Sequence, residues 1–232
     1  MQAVILSAGR GTRMGVLTDA MPKPMLTVLG KTLLEHKFDI LPPEVDEIIL
    51  IVGYMGGLIQ KHFGGFYKGK KIFYVEQDVL NGTGGALWNA RDILHDRFVV
   101  MMGDDLYSRD DIDRCIATSD WALLVHKTEH MRSGGCIVTN HEGEIEKIEE
   151  GNYHGTSGLM GTNMFVLDMR IFDHPLVAKS PGSVEFGLPQ TVLSASLESH
   201  IPFEAVPSTF WFQITEPEDL ARAEELLQKQ NG

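Results

Sequence analysis

Cysteine, positive charge and long apolar runs are all scarce in this chain. Cys115 and Cys136 are the only cysteines in 232 residues and show no C-x-x-C spacing, which excludes a disulfide framework. Lys and Arg number 20 against 32 Asp and Glu, a formal net charge of −12. So acidic a chain lacks the basic face that nucleic-acid binding requires. No apolar run reaches the length of a membrane span and no basic-then-apolar leader opens the sequence, so the reading predicts a cytoplasmic protein without a membrane partner. In that compartment the Asn81-Gly82-Thr83 sequon is idle. An acidic protein that handles phosphate must gather its few cations locally or recruit a divalent metal.

What is present is an alternation of short apolar runs with helical patterns. Strands fit Gln2–Ser7, Glu47–Val52, Lys71–Val75 and Phe98–Met102, and helices fit Leu33–Leu41, Gly57–Phe63 and Thr83–Leu94 between them. This order predicts an α/β fold with a doubly wound, mostly parallel sheet and ligands at the carboxyl ends of strands. The second half is less regular. Trp121–Val125, Cys136–Thr139, Met164–Leu167 and Phe203–Val206 read as strands, Leu188–Leu197 as a helix, and a last helix starts near Pro217 with Leu220, Ala223 and Leu227 as its buried stripe. With no repeat, low-complexity tract or linker, residues 1–232 read as one domain. Its more regular half covers about 1–110 and its less regular half about 111–232.

The richest segment is Leu6-Ser7-Ala8-Gly9-Arg10-Gly11-Thr12-Arg13-Met14, followed by Pro22-Lys23-Pro24. A buried strand emptying into glycines lets backbone N–H groups approach an anion, and Arg13 and Lys23 add a planar fork and a point charge. The combination suits a triphosphate. It is not a dinucleotide fingerprint, because the third glycine, Gly15, comes one position late, and it is not a P-loop, because Met25 stands where Gly30-Lys31-Thr32 would need a leading glycine.

Two more loops leave strand ends. In Glu76-Gln77-Asp78 and Asn81-Gly82-Thr83-Gly84-Gly85-Ala86, the Gln77 amide can pair with a base edge and Gly82 admits close backbone approach. The structural alternative is a helix capped by Thr83. In Met101-Met102-Gly103-Asp104-Asp105, Asp104 is placed as a Mg²⁺ ligand, while Asp105 or Ser108 caps the next helix. His126-Lys127-Thr128-Glu129-His130 matches H-x-x-E-H, but it follows a strand-like run and lacks the helix a zinc site needs.

Together these residues resemble the sugar-1-phosphate nucleotidylyltransferases. The similarity spans nearly the whole chain and includes Glu185-Phe186-Gly187-Leu188-Pro189 and the Trp211…Pro217-Glu218-Asp219-Leu220 ending. The resemblance implies a Rossmann-like nucleotidyltransferase fold and transfer of a nucleotidyl group from a nucleoside triphosphate to a sugar 1-phosphate, giving a nucleotide sugar and pyrophosphate. Its cofactor would be Mg²⁺, with Mn²⁺ as substitute, and the protein a monomer or small homo-oligomer. It places Arg13 and Lys23 as the catalytic cations. Leu6, Ala8, Gly9, Gly11, Thr12, Gln77, Gly82 and Thr83 would hold the nucleotide. Gly135, Glu149, Asn163 and Glu185 would hold the sugar phosphate, and Asp104 with Gln213 the metal.

Two positions depart from the family pattern. Gln213 stands where an Asp is usual, and the Glu-Lys-Pro segment reads Glu149-Glu150-Gly151, leaving Lys147 as a nearby substitute for the missing lysine. The alternatives are therefore a regulatory paralogue that binds nucleotide without turnover and, against the Gly9–Arg13 loop, a nucleotide-sugar-dependent glycosyltransferase.

Overall fold

The computed structural model describes residues 1–230, apart from the side chains at 132, 133, 152 and 154. The first half follows the expected alternation: β1 (Gln2–Ser7), the short β2 (Thr27–Val28) and β3 (Lys31–Thr32), α1 (Leu33–Ile40), β4 (Glu47–Val52), α2 (Gly56–Phe63), β5 (Phe66–Tyr67), β6 (Lys70–Glu76), α3 (Gly82–Trp88) and β7 (Arg97–Met102). Then come β8 (Asp105–Tyr107), α4 (Arg109–Ile116), β9 (Trp121–Thr139), β10 (Ile145–Asp168), α5 (Leu188–Ser199), β11 (Phe203–Pro207), β12 (Trp211–Gln213) and α6 (Glu218–Gln230).

Eight strands form one sheet in the order β11-β9-β10-β7-β1-β4-β6-β5. β1 runs parallel to both β4 and β7, β4 parallel to β6, and β11 parallel to β9. β10 is antiparallel to both of its neighbours. The sheet is thus mixed and mostly parallel, with helices against it. Side chains alternate across β1 as a pleated strand requires. Val4 and Leu6 join Ala86, Leu87 and Val192 in one core layer, while Ala3 and Ile5 join Phe38, Ile59 and Ile112 in the other. A third cluster unites Met14, Leu26, Leu33, Leu106, Ile214 and Ala223, and the α6 residues Leu220 and Leu227 pack on it.

Three expectations are corrected. The helix placed at Thr83–Leu94 stops at Trp88 and resumes only as a 3₁₀ turn at Arg91–Ile93. Thr83 is no cap: Asn81 occupies that position without a side-chain capping bond to the helix, and Thr83 Oγ1 instead accepts from the Leu188 N–H at 3.0 Å. The separate strands read at 121–125, 136–139 and 164–167 are parts of just two long ones, β9 and β10, whose pairing shifts register repeatedly. Ser108 caps α4, accepting from the Asp111 N–H. Among the described residues, no helix is long and apolar enough to cross a membrane.

Candidate active site

β1, β6 and β7 deliver their loops to one side of the sheet, where an open cleft of about 650 Å³ runs from Ala8 and Gly9 to Gly135 and Glu185. That volume suits a ligand of cofactor size. At the end bounded by Ala8 and Gly9 the two glycines of the first loop serve different purposes. Gly11 is left-handed, with φ +67°, and a Cβ there would lie 2.8 Å from Lys23 Cβ, so its missing side chain is what lets Lys23 come in. Over Gly9 nothing lies within 4 Å of where a Cβ would be, and Gly9 lines the open cleft. The loop is braced from behind by the Tyr54 N–H donating to the Ala8 carbonyl at 3.0 Å and by Arg10 lying over the Tyr54 ring at 5.3 Å.

Lys23 is buried within the 3₁₀ turn Lys23–Met25, between Pro22 and Pro24. Its Nζ lies 2.5 Å from Asp104 Oδ2 and also donates to the Ile214 carbonyl. Two residues 81 positions apart, one assigned to the phosphates and one to the metal, therefore meet directly. Gly103 makes the approach possible. Its N–H donates to the Leu6 carbonyl at 2.9 Å, and a Cβ there would sit 2.3 Å from Ser7 Oγ. β12 pairs with β8 in antiparallel register, Gln213 opposite Asp105, the residue that follows Asp104.

Beneath this pair lies a buried polar group that sequence reasoning missed. Lys37 is fully buried, and its Nζ donates to the Asp105 carbonyl. Burial lowers the Lys37 pKa to about 8, against the pull of Asp105 and Asp104. Asp105 is pushed up to about 7, first by burial and then by the charge of Asp104. Trp211 Nε1 donates to Asp105 Oδ2 at 3.1 Å, fastening β12 to β8. One signal in the sequence marks Lys37: it falls on the apolar stripe of α1, between the buried Leu33 and Leu34 and the buried Phe38.

Gln77 is buried at the end of β6 and lines the cleft. Its Nε2 donates to Asn81 Oδ1 at 3.1 Å and to the Gly82 carbonyl at 3.3 Å. A carbonyl can only accept, so the amide nitrogen is fixed on that side. Gly82 has φ +96°, and a Cβ there would lie 2.3 Å from the Phe186 carbonyl. Phe186 N–H donates to Asn81 O at 2.7 Å, and Gly84 N–H to Phe186 O at 3.0 Å. These bonds fasten the glycine turn to residues 185–188 and bring Glu185 to the cleft.

At the other end, Gly135, Asn163 and Glu185 line the cleft, and Asn163 is left-handed with φ +57°. Glu149 does not line it. On β10, Ile148 and Glu150 face the cleft, so alternation turns Lys147 and Glu149 the other way, where they pair with each other. Lys147 is thereby removed as the substitute cation. Glu150, unexpected from sequence, accepts from Gln190 Nε2 at 3.1 Å. Of the remaining expected residues, Leu6, Ala8, Gly9, Arg13, Gln77, Gly82, Thr83 and Gln213 line the cleft, whereas Gly11, Thr12, Lys23 and Asp104 do not. The H-x-x-E-H segment lies on the extended β9, and no group of three or more His, Cys, Asp or Glu able to hold a metal occurs among the described residues.

Comparison with known proteins agrees with this geometry. The family model described as nucleotidyl transferase matches residues 2–230. The UTP–glucose-1-phosphate uridylyltransferase AglF of Haloferax volcanii is 31% identical over 243 residues, covering 99% of this chain and 98% of its own. The bifunctional protein GlmU of Methanocaldococcus jannaschii is 31% identical across 98% of this chain, which spans only 54% of that longer relative. The crystal structure of HddC from Yersinia pseudotuberculosis superposes with a TM-score of 0.75 over 97% of this chain and 99% of that one, at 23% identity. The glycine loop, the mixed sheet and near-complete coverage by the family model lead to one assignment: this chain belongs to the nucleotidyl transferase family.

Proposed function

We propose that the protein transfers a nucleotidyl group from a nucleoside triphosphate to a sugar 1-phosphate, releasing pyrophosphate. One observation carries the reading. The glycine loop that opens the cleft delivers a buried lysine to within 2.5 Å of the carboxylate at the end of β7, so phosphate-binding and metal-binding chemistry share one point. One relative of this chain is an enzyme named for uridylyl transfer to glucose 1-phosphate.

In the reaction an oxygen of the sugar phosphate forms a bond to the α-phosphorus, and the bond from that phosphorus to the pyrophosphate oxygen breaks. The attacking oxygen is already deprotonated, so no side chain needs to accept a proton. Catalysis then consists of alignment and charge stabilisation. Arg13, at the cleft wall, takes the departing pyrophosphate, and Lys23 offsets negative charge growing around the α-phosphate. Gln77 and Gly82 meet the base. Gly135, Asn163 and Glu185 surround the sugar phosphate, with residues 1–110 supplying most of the nucleotide half and 111–232 most of the acceptor half.

The donors beside the cleft fit a hard divalent cation. Asp104 supplies a carboxylate and Gln213 an amide oxygen, the all-oxygen set that Mg²⁺ takes while keeping its waters. Asp104 with Gln213 would hold Mg²⁺ or Mn²⁺, which when bound neutralises charge on the phosphate oxygens. A cytoplasmic location accords with such substrates.

The test is pyrophosphate release from ATP, GTP, CTP, UTP and dTTP, each against common sugar 1-phosphates with Mg²⁺. Release with one pair supports the transferase and names its base and sugar. Nucleotide binding without release from any pair, with Mg²⁺ or Mn²⁺, refutes it in favour of a regulatory paralogue.

A further inference from the structure

The inference rests on the transferase reading and concerns how the acceptor's phosphate is held. A sugar 1-phosphate brings a dianion into a cleft whose described lining carries two cations, Arg13 and Lys179, and two carboxylates, Glu150 and Glu185. Arg13 belongs to the nucleotide loop. Lys147 faces away, engaged with Glu149. Lys23 is held by Asp104 and the Ile214 carbonyl. Among the described residues of the acceptor half, Lys179 is the cation left to meet the phosphate.

Its placement is firm at the backbone and free at the tip. The Lys179 N–H donates to the Glu185 carbonyl at 2.8 Å, and Ala178 forms a bridge with Phe186. A Cβ on Gly187 would come within 3.3 Å of Lys179 Cα, so that glycine lets the two segments close up. The Lys179 side chain is 54% exposed, and its Nζ stands 3.9 Å from Glu185 Oε2. That separation is beyond a hydrogen bond, so the ammonium donors remain available to a ligand. Glu150, by contrast, is held by Gln190 Nε2.

We propose that Lys179 is the phosphate-gripping cation of the acceptor subsite, with Glu150 and Glu185 turned to the sugar's hydroxyl donors. The arrangement selects a substrate class. A neutral or amino sugar presents donors to the two carboxylates. A uronic acid 1-phosphate would set a second anion against them.

The experiment begins with the pair that releases pyrophosphate and measures both KM values for wild type, Lys179→Met and Lys179→Arg. Loss of one charge-assisted phosphate contact raises the sugar 1-phosphate KM about 10- to 100-fold in Lys179→Met. The triphosphate KM stays within about twofold, and Lys179→Arg recovers most of the loss. Hexuronic acid 1-phosphates give no release. An unchanged sugar 1-phosphate KM in Lys179→Met overturns the assignment, as does an equal rise in both KM values, which would mark a scaffold role. Efficient turnover of a uronic acid 1-phosphate overturns the class. Wild type that turns over no pair refutes the transferase reading itself, before any variant is made.

Discussion

Replacing Lys37 by Met tests whether the charged group beneath the site is held by mutual compensation. Burial lowers the Lys37 pKa from 10.5 to about 8, equivalent to about 3 kcal/mol against its charged form. Asp105 is raised to about 7, chiefly by burial. Removing the lysine alone leaves the Asp105 carboxylate with Trp211 and Tyr107 as hydrogen-bond partners and Lys23 as its one remaining cationic influence. Stranding one member of a buried pair costs about 3 kcal/mol, or about 6 to 12 °C in Tm for a chain of this size. The double variant Lys37→Met/Asp105→Asn strands no charge and should recover most of that loss. The pH dependence has a definite sign. Between pH 8 and 10.5 the unfolded chain holds a proton on Lys37 that the folded chain has released, so stability rises with pH across that window. Urea unfolding near the lower end of this window and again near its upper end should show that rise in wild type and not in Lys37→Met. Equal stability of the single variant and wild type, a double variant no better than the single, or identical pH slopes would each refute the reasoning.

The glycines of the first loop should separate in the same kind of assay. Gly11→Ala forces a side chain into a left-handed position and against Lys23 Cβ, so kcat should fall about 10- to 100-fold as the lysine is displaced. Gly9→Ala meets nothing in the fold, so Tm should hold while triphosphate KM rises. The reverse pattern would exchange their roles. Cys115 is fully buried, and burial pushes its thiol up to about 12, so native-state iodoacetamide should modify Cys136 alone. Labelling of both at similar rates would contradict that burial.

The parallel half of the sheet was legible because β1, β4 and β7 are continuous apolar runs, buried on both faces and closed by polar or glycine-rich turns. β9 and β10 were legible only in pieces, at 121–125, 136–139 and 164–167. They carry glycines at 134, 135, 151, 155, 158 and 161, and their register shifts break the period-2 pattern that marks a strand. The same contrast governs the site. Gly11, Lys23, Gln77 and Asp104 announce themselves through spacing at strand ends. Lys179, Glu150 and Gln190 have no local signature, because they come to one cleft only through the fold, where the turn at Gly82 is tied to residues 185–188. Glu149 misled for a simpler reason: on an extended strand a one-residue offset changes the face.

The bond from Lys23 to the Ile214 carbonyl spans 191 positions. A ribosome releases residues in order, so the lysine proposed to serve the phosphates waits, without that partner, until nearly all of the described chain has emerged. Closing so large a loop is entropically slow and gains its reward late. Competence for the proposed reaction therefore arrives late in the making of each molecule: a nascent chain can already display its glycine loop long before Lys23 has all of its partners.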